Sequence, residues 1–309
     1  MKLSTRHILS INDLTKKDVL LILQTADTFK EISERPIKKV PTLRGRTVVN
    51  CFFEDSTRTR LSFELAEKRL SADSINISGS GSAMAKKGET LLDTVKNIEA
   101  MRPDILVVRH NLSGAPAQIA KVTRAHVINA GDGTHEHPTQ ALLDLMTIRE
   151  VKGRLKGLKV GIVGDILHSR VARSGMLLFK KMGMEVIVGG PPTLIPPAIE
   201  ETYGVQVCYD IKKVIGELDV LMLLRVQNER LKGQYFPSVR EYARYFGIDA
   251  QALMAAREDL TIMHPGPVNR GVELAAEVAD GPRSVILDQV TNGVAIRMAL
   301  LYLLLGDGD

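Results

Sequence analysis

Two α/β domains, each a parallel sheet flanked by helices, are what the sequence predicts. Short β-branched runs alternate with helical patterns, the signature of parallel sheets. The alternation pauses and then starts again near Lys156. The length of 309 residues suits two domains of ~150 residues each. In chain order, Thr15 caps a first helix with Asp18 three residues on, a capping-box variant. Val19, Ile22, Leu23, Ala26 and Phe29 then recur at helical spacing, and Pro36 and Pro41 break the segment after the helix. Residues 47–53, TVVNCFF, form a buried strand, with a helix from about Leu61 to Leu70. Strands at 104–109 (DILVVR) and 127–130 flank a helix around 117–122. The second series opens with a strand at 158–165 (LKVGIVGD), a helix at 170–182 and a strand at 185–188. Pro191, Pro192, Pro196 and Pro197 mark a loop. Strands at 205–207 and 220–224 enclose a helix near 211–217, and 260–263 is the last strand. An apolar helix at 292–305 is expected to pack back on the first domain. The domains are therefore expected at 1–145 together with a C-terminal helix at 290–309, and at 146–289, with the seam near 138–155.

Composition narrows the class. Hydrophobic residues are 44% and charged residues 25%, which excludes a disordered chain, a collagen and a disulfide-stapled miniprotein. The net charge of +5 is mild and scattered, with no Lys/Arg block longer than two, so a nucleic-acid partner is not expected. Anionic small molecules suit the same excess. Cys51 and Cys208 lack CxxC spacing, which argues against a zinc site or a disulfide framework and for a reduced, cytoplasmic compartment. The polar start has no apolar signal core, and the apolar run from Met298 to Leu305 is far short of the ~20 residues that span a bilayer, so no membrane association is expected.

The strongest local signal is Ser56-Thr57-Arg58-Thr59-Arg60, between a strand and a helix. Backbone N–H groups at a helix N-terminus favour an anion, and hydroxyls with forked guanidiniums suit phosphate. The edge beyond the strand's carboxyl end is also where α/β sheets bind ligands. A capped helix start with two solvated arginines is the structural alternative. Further along, Arg109 ends DILVVR, and Gly131 to Gln140 reads GDGTHEHPTQ after a strand. His135 and His137 lack a third ligand at metal spacing, so no metal is expected. Ala85-Lys86-Lys87-Gly88-Glu89-Thr90 follows a Gly/Ser-rich stretch and reads by itself as a basic surface loop; the P-loop order is absent. In the second series, Arg170 and Arg225 each follow a strand, and each could clamp a carboxylate bidentately. His264-Pro265-Gly266-Pro267 ends the last strand, and its prolines restrict the turn's backbone.

FFEDSTRTRLSFE resembles the carbamoyl-phosphate signature of the aspartate and ornithine carbamoyltransferases, and the other motifs follow in the family's order from about residue 6 to the end. The resemblance implies carbamoyl phosphate held by Ser56, Thr57, Arg58, Thr59, Arg109, His137 and Gln140, with carbonyls of the Gly266–Pro267 turn accepting from the carbamoyl amide. Arg58, Thr59, Lys87, Arg109 and His137 would be catalytic, with Lys87 (or its neighbour Lys86) entering from an adjacent chain. The family's loop serine stands three or four residues before that lysine, whereas here Ser82 is one position further back. Lys87, Arg170, Arg225 and Gln227 would bind L-aspartate. Two arginines match aspartate's two carboxylates and would repel ornithine's cationic side chain. The KGE loop, and HPGP where ornithine enzymes carry HCLP, favour the aspartate branch.

The implied reaction is carbamoyl transfer from carbamoyl phosphate to the α-amino group of L-aspartate. It gives N-carbamoyl-L-aspartate and phosphate and opens pyrimidine synthesis, with no cofactor. A catalytic homotrimer with shared active sites is implied, open to association with regulatory chains or a dihydroorotase. The rival expectations are a carbamoyltransferase acting on another amine, such as ornithine, and a non-catalytic scaffold of the same fold.

Overall fold

The computed structural model describes residues 2–78, 88–226 and 238–305, and the chain divides into two compact units, Met1–Leu143 with Thr291–Asp309, and Asp144–Val290. Unit 1 is built on four parallel strands, β1 (Thr47–Phe52), β2 (Asp73–Ser78), β3 (Ile105–His110) and β4 (His126–Asp132), in the order β2-β1-β3-β4. β1 and β3 are buried along nearly their whole length, as strands covered on both faces must be, and so read as unbroken apolar runs. β2 is the edge strand. Its sequence DSINIS is partly exposed, so it carries no such run and was not foreseen.

Helix α1 (Lys16–Glu34) starts at Thr15 with the full capping box, and Val19, Ile22, Leu23, Ala26 and Phe29 are all buried. Burial alone would raise the Asp18 carboxyl, but hydrogen bonds from Ser4 and Thr15 outweigh it and bring it down to about 2. Helix α2 (Thr57–Arg69) begins four residues before the expected Leu61, because Ser56 is extended and serves as its N-cap residue. The polar run STRTR is therefore the first turn of the helix and not a loop ahead of it. α3 (Leu91–Ala100) and α4 (Ala115–Ala120) complete the first series, and Val95, Ile98 and Ile119 join Val49, Cys51, Leu106 and Val127 in one core cluster.

α5 (Pro138–Lys152) occupies the stretch expected to be a seam, and the boundary between the units falls inside it. Its residues from Pro138 to Ile148 are all buried, so no polar face marked it as a helix. The final helix, α10 (Ile286–Leu305), begins six residues earlier than expected. Within unit 1 it packs back on α1 and α2. Tyr302 meets Phe29 edge-on at 5.6 Å, and Arg297 donates to Ser62 at 2.8 Å while lying 5.0 Å from the centre of the Phe63 ring.

A buried carboxyl ties α2 to the sheet. Glu67 accepts from Asn50 of β1 at 2.9 Å and from Ser74 of β2. Burial pushes it up to about 7, although those two hydrogen bonds and Lys68 pull the other way. A folded value above the unfolded one supports the fold at acid pH, and that support is lost as pH rises through about 7. Glu67→Gln is expected to stabilise the protein by ~1–3 kcal/mol at pH 8 and to change nothing at pH 4. Urea unfolding at the two pH values checks this, and equal shifts at both would contradict it.

Unit 2 has five parallel strands, β5 (Lys159–Val163), β6 (Glu185–Gly189), β7 (Gln206–Val207), β8 (Val220–Leu223) and β9 (Thr261–Met263), ordered β7-β6-β5-β8-β9. The helices are α6 (Arg170–Lys181), α7 (Ile199–Tyr203), α8 (Val239–Phe246) and α9 (Ala276–Ala279). The segment 211–217, expected as a helix, forms two 3₁₀ turns instead, Ile211–Lys213 and Ile215–Glu217. Ile211, Ile215 and Leu218 nevertheless point into the core with Val163, Leu221 and Ile262. The chain order reverses between β5 and β8, so the sheet has a switch point there. Among the described residues no helix is long and apolar enough to cross a membrane.

Candidate active site

In unit 1 the expected ligand residues gather at the carboxyl edge of the sheet. Parallel register sets Phe52 of β1 beside Arg109 of β3, and His110 of β3 beside Asp132 of β4. Each strand therefore delivers its following turn to the same edge. From β1 the chain passes through 53–56 into α2, whose first three residues are Thr57, Arg58 and Thr59. Amides of a first turn have no partner within the helix and point at any anion placed there. The Ser56 side chain makes no capping bond. Thr57 and Arg58 are exposed, whereas Thr59 is buried.

Arg109 is held from below. Its Nη2 donates to Glu54 Oε1 at 2.7 Å and its Nη1 to the Ala130 carbonyl at 3.3 Å. The Arg109 side chain is 11% exposed, so the ion pair is largely out of water and its geometry counts for more than that of a surface pair. The expected residues did not include Glu54. Its only signal was the acidic pair Glu54-Asp55 ahead of the two arginines in FFEDSTRTR.

After β4 the GDGTHEHPTQ segment folds around Asp132, which is buried. Asp132 accepts from Asn129 Nδ2 at 2.9 Å, from the amides of Gly114 at 2.6 Å and Glu136 at 3.1 Å, and lies 3.0 Å from His135 Nδ1. Glu136 in turn accepts from Ser10 and from the Ile11 amide at 3.0 Å. Gly133 has φ +48°, and a Cβ there would meet Ser113 Oγ at 2.5 Å, so only glycine fits. His135 thus braces the turn, while His137 stands just before α5 and its carbonyl accepts from the Gln140 and Ala141 amides. His137 and Gln140 are both buried at this edge. Among the described residues no cluster of His, Cys, Asp or Glu could hold a metal.

Cys51 lies in β1 beneath the site, and burial pushes its thiol up to about 12, which removes any thiolate near neutral pH. A 1170 Å³ cavity of unit 1 opens elsewhere, lined by Arg46, Asp104 and His126. Those residues stand at the amino ends of β1, β3 and β4, opposite the carboxyl edge.

In unit 2 the same logic operates at the switch point. β5 is followed by Gly164, where φ is +135° and a Cβ would meet the Leu224 carbonyl at 2.7 Å, so the chain leaving β5 approaches the end of β8 closely only because of glycine. The chain then enters α6, capped by Ser169 and opened by Arg170, which is buried. Arg225 follows β8 and is half-buried. Met222 pairs with Met263, so the turn His264-Pro265-Gly266-Pro267 leaves β9 beside Arg225's strand. Each unit therefore groups its own expected residues, Ser56 to Thr59, Arg109, His137 and Gln140 in one, and Arg170, Arg225, Gly266 and Pro267 in the other. Lys86, Lys87 and Gln227 lie outside the described residues.

Comparison with known proteins agrees over the full length. The model of the aspartate/ornithine carbamoyltransferase carbamoyl-P binding domain matches residues 6–150, and that of the Asp/Orn binding domain matches residues 156–304. The aspartate carbamoyltransferase catalytic subunit of Desulfosudis oleivorans is 58% identical over 306 residues, covering 99% of this chain and 98% of that one. Among solved structures, aspartate transcarbamoylase from Trypanosoma cruzi in complex with carbamoyl phosphate and aspartate superposes with a TM-score of 0.87 at 30% identity, covering 96% of this chain and 95% of that one. Ornithine carbamoyltransferase from Pyrococcus furiosus gives 0.89, also at 30% identity, over the whole of both chains. With both domain models matched in sequence order and two parallel sheets presenting these residues at their carboxyl edges, the chain belongs to the aspartate/ornithine carbamoyltransferase family.

Proposed function

We propose that this chain is an aspartate carbamoyltransferase, moving the carbamoyl group of carbamoyl phosphate to the α-amino group of L-aspartate. The observation that carries the reading is the first turn of α2, where Thr57, Arg58 and Thr59 offer amides, hydroxyls and a guanidinium at the same sheet edge as Arg109. That is a seat for a phosphoryl group. Gly266 and Pro267 carbonyls would accept from the carbamoyl amide. Arg170 and Arg225 supply two cations for a dicarboxylic amino acid.

The amine nitrogen attacks the carbamoyl carbon, the bond from that carbon to the phosphate oxygen breaks, and inorganic phosphate leaves. Charge builds on the carbonyl oxygen, and Thr59, Arg109 and His137 would stabilise it as donors. One such donor is worth ~10²–10³-fold in turnover. The amine's proton goes to the departing phosphate, a base strong enough to need no carboxylate helper. Holding both reactants in place contributes much of the rest.

The proposal includes a homotrimer in which Lys87 of one chain serves the site of the next, with Gln227 assisting Arg225, and a cytoplasmic role at the start of pyrimidine synthesis. The decisive experiment gives the purified chain carbamoyl phosphate with L-aspartate, L-ornithine or a modified ornithine, alongside a native mass. N-carbamoyl-L-aspartate and phosphate from a three-chain species are expected. Preferential carbamoylation of ornithine, or an inert chain, would overturn the reading.

A further inference from the structure

We propose that Glu273, acting through His264, is the positioning residue that holds the Gly266–Pro267 turn in shape for the carbamoyl group. This rests on the proposed role of that turn as a carbamoyl acceptor site. His264 and Glu273 are both fully buried. The Gly266 amide donates to His264 Nδ1 at 2.8 Å. A backbone N–H can only donate, so Nδ1 holds a lone pair and the ring proton sits on Nε2. Nε2–H then donates to Glu273 Oε1 at 3.1 Å. The ring is gripped at both nitrogens, and its orientation fixes where the Gly266 amide points.

Glu273 does a second thing with the same oxygen. Oε1 also accepts from the Asn269 amide at 2.6 Å. One carboxyl oxygen therefore holds residue 264 ahead of the turn and residue 269 behind it, closing the loop like a clasp. The His264 amide is fixed independently, donating to Gln289 Oε1 at 2.9 Å, and Gln289 Nε2 donates to Asp144 at 2.7 Å. Glu273 Oε2 has no hydrogen-bond partner among the described residues. A buried His–Glu pair is a poor way to gain stability, since apolar side chains of the same volume do as well or better. Three of these hydrogen bonds are spent on amides of residues 264–269. Gly266, between the two prolines, has φ +70°, a conformation glycine alone adopts freely, and its amide is the one that His264 holds.

The two acceptor bonds on Oε1 can be made by an amide oxygen as well as by a carboxylate. Glu273→Ala is expected to raise the KM for carbamoyl phosphate ~10-fold and lower kcat ~10-fold, with the aspartate KM within about twofold of the parent. Glu273→Gln should recover both to within about threefold, because geometry and not charge is what it supplies. A folded alanine variant with the parent's carbamoyl phosphate KM would overturn the proposal, as would a glutamine variant as damaged as the alanine one.

Should the alanine variant fail to fold, His264 gives the same test. His264→Asn places an oxygen near the Nδ1 position and keeps the acceptor for Gly266, whereas His264→Gln reaches Glu273 but loses that acceptor. The asparagine variant should hold carbamoyl phosphate at least ~5-fold better than the glutamine variant. Equal KM values for the two would refute the clasp. The parent chain, assayed first with the amine panel, separates this outcome from failure of the functional reading itself. If the parent uses another amine, the comparison of carbamoyl phosphate KM values stands unchanged.

Discussion

Arg58→Ala is expected to lower kcat/KM for carbamoyl phosphate by ~10³-fold or more while leaving the melting temperature within a few degrees of the parent. Arg58 is the second residue of α2 and exposed, so its removal uncovers no core. What is lost is a forked donor at the point where phosphate charge would sit, next to helix amides that provide only partial charges. Arg58→Lys keeps the charge and loses the fork, and should recover only part of the activity. Steady-state kinetics with carbamoyl phosphate varied at saturating aspartate make the measurement. An alanine variant within tenfold of the parent would remove Arg58 from the phosphate seat.

Arg225→Ala is expected to act on the other substrate. It should raise the aspartate KM ~10²-fold, with a smaller fall in kcat and the carbamoyl phosphate KM within about twofold. The reason is position. Arg225 leaves β8 in unit 2, beside the strand end that feeds Arg170, and belongs to a different sheet from the phosphate seat. A carboxylate that loses its bidentate partner in a partly dried site loses ~2–3 kcal/mol, which is this size of effect. A variant whose carbamoyl phosphate KM rises while the aspartate KM stays put would reverse the assignment of substrates to units.

These two residues were legible because their neighbours in sequence announce them. STRTR follows a run of buried β residues and opens α2, and Arg225 ends another such run. The central strands of both sheets were legible for the same reason, since burial on two faces leaves an apolar run with no gaps. Other elements escaped, and three of them show why. β2 lies at an edge and is polar enough to pass for a loop. α5 is buried all round over its first three turns and shows no stripe. The 211–217 segment has helical apolar spacing, yet a Cβ at Gly216 would come within 2.8 Å of the Ala255 carbonyl, and the chain there tightens into 3₁₀ turns.

From its own residues the chain declared the α/β class, the polar run that follows β1 and the arginines that follow two strands of unit 2, because each is written in a few contiguous positions. Only the tertiary structure decided that Glu54 would hold Arg109, that Asp132 and Glu136 would shape the approach to His137, and that Glu273 would clasp the turn after β9. Those partners stand up to 126 residues apart in sequence, as Ser10 and Glu136 do. Local periodicity says which face a side chain takes; which distant amide a buried carboxyl meets depends on strand order and register, and these are settled when the sheets assemble.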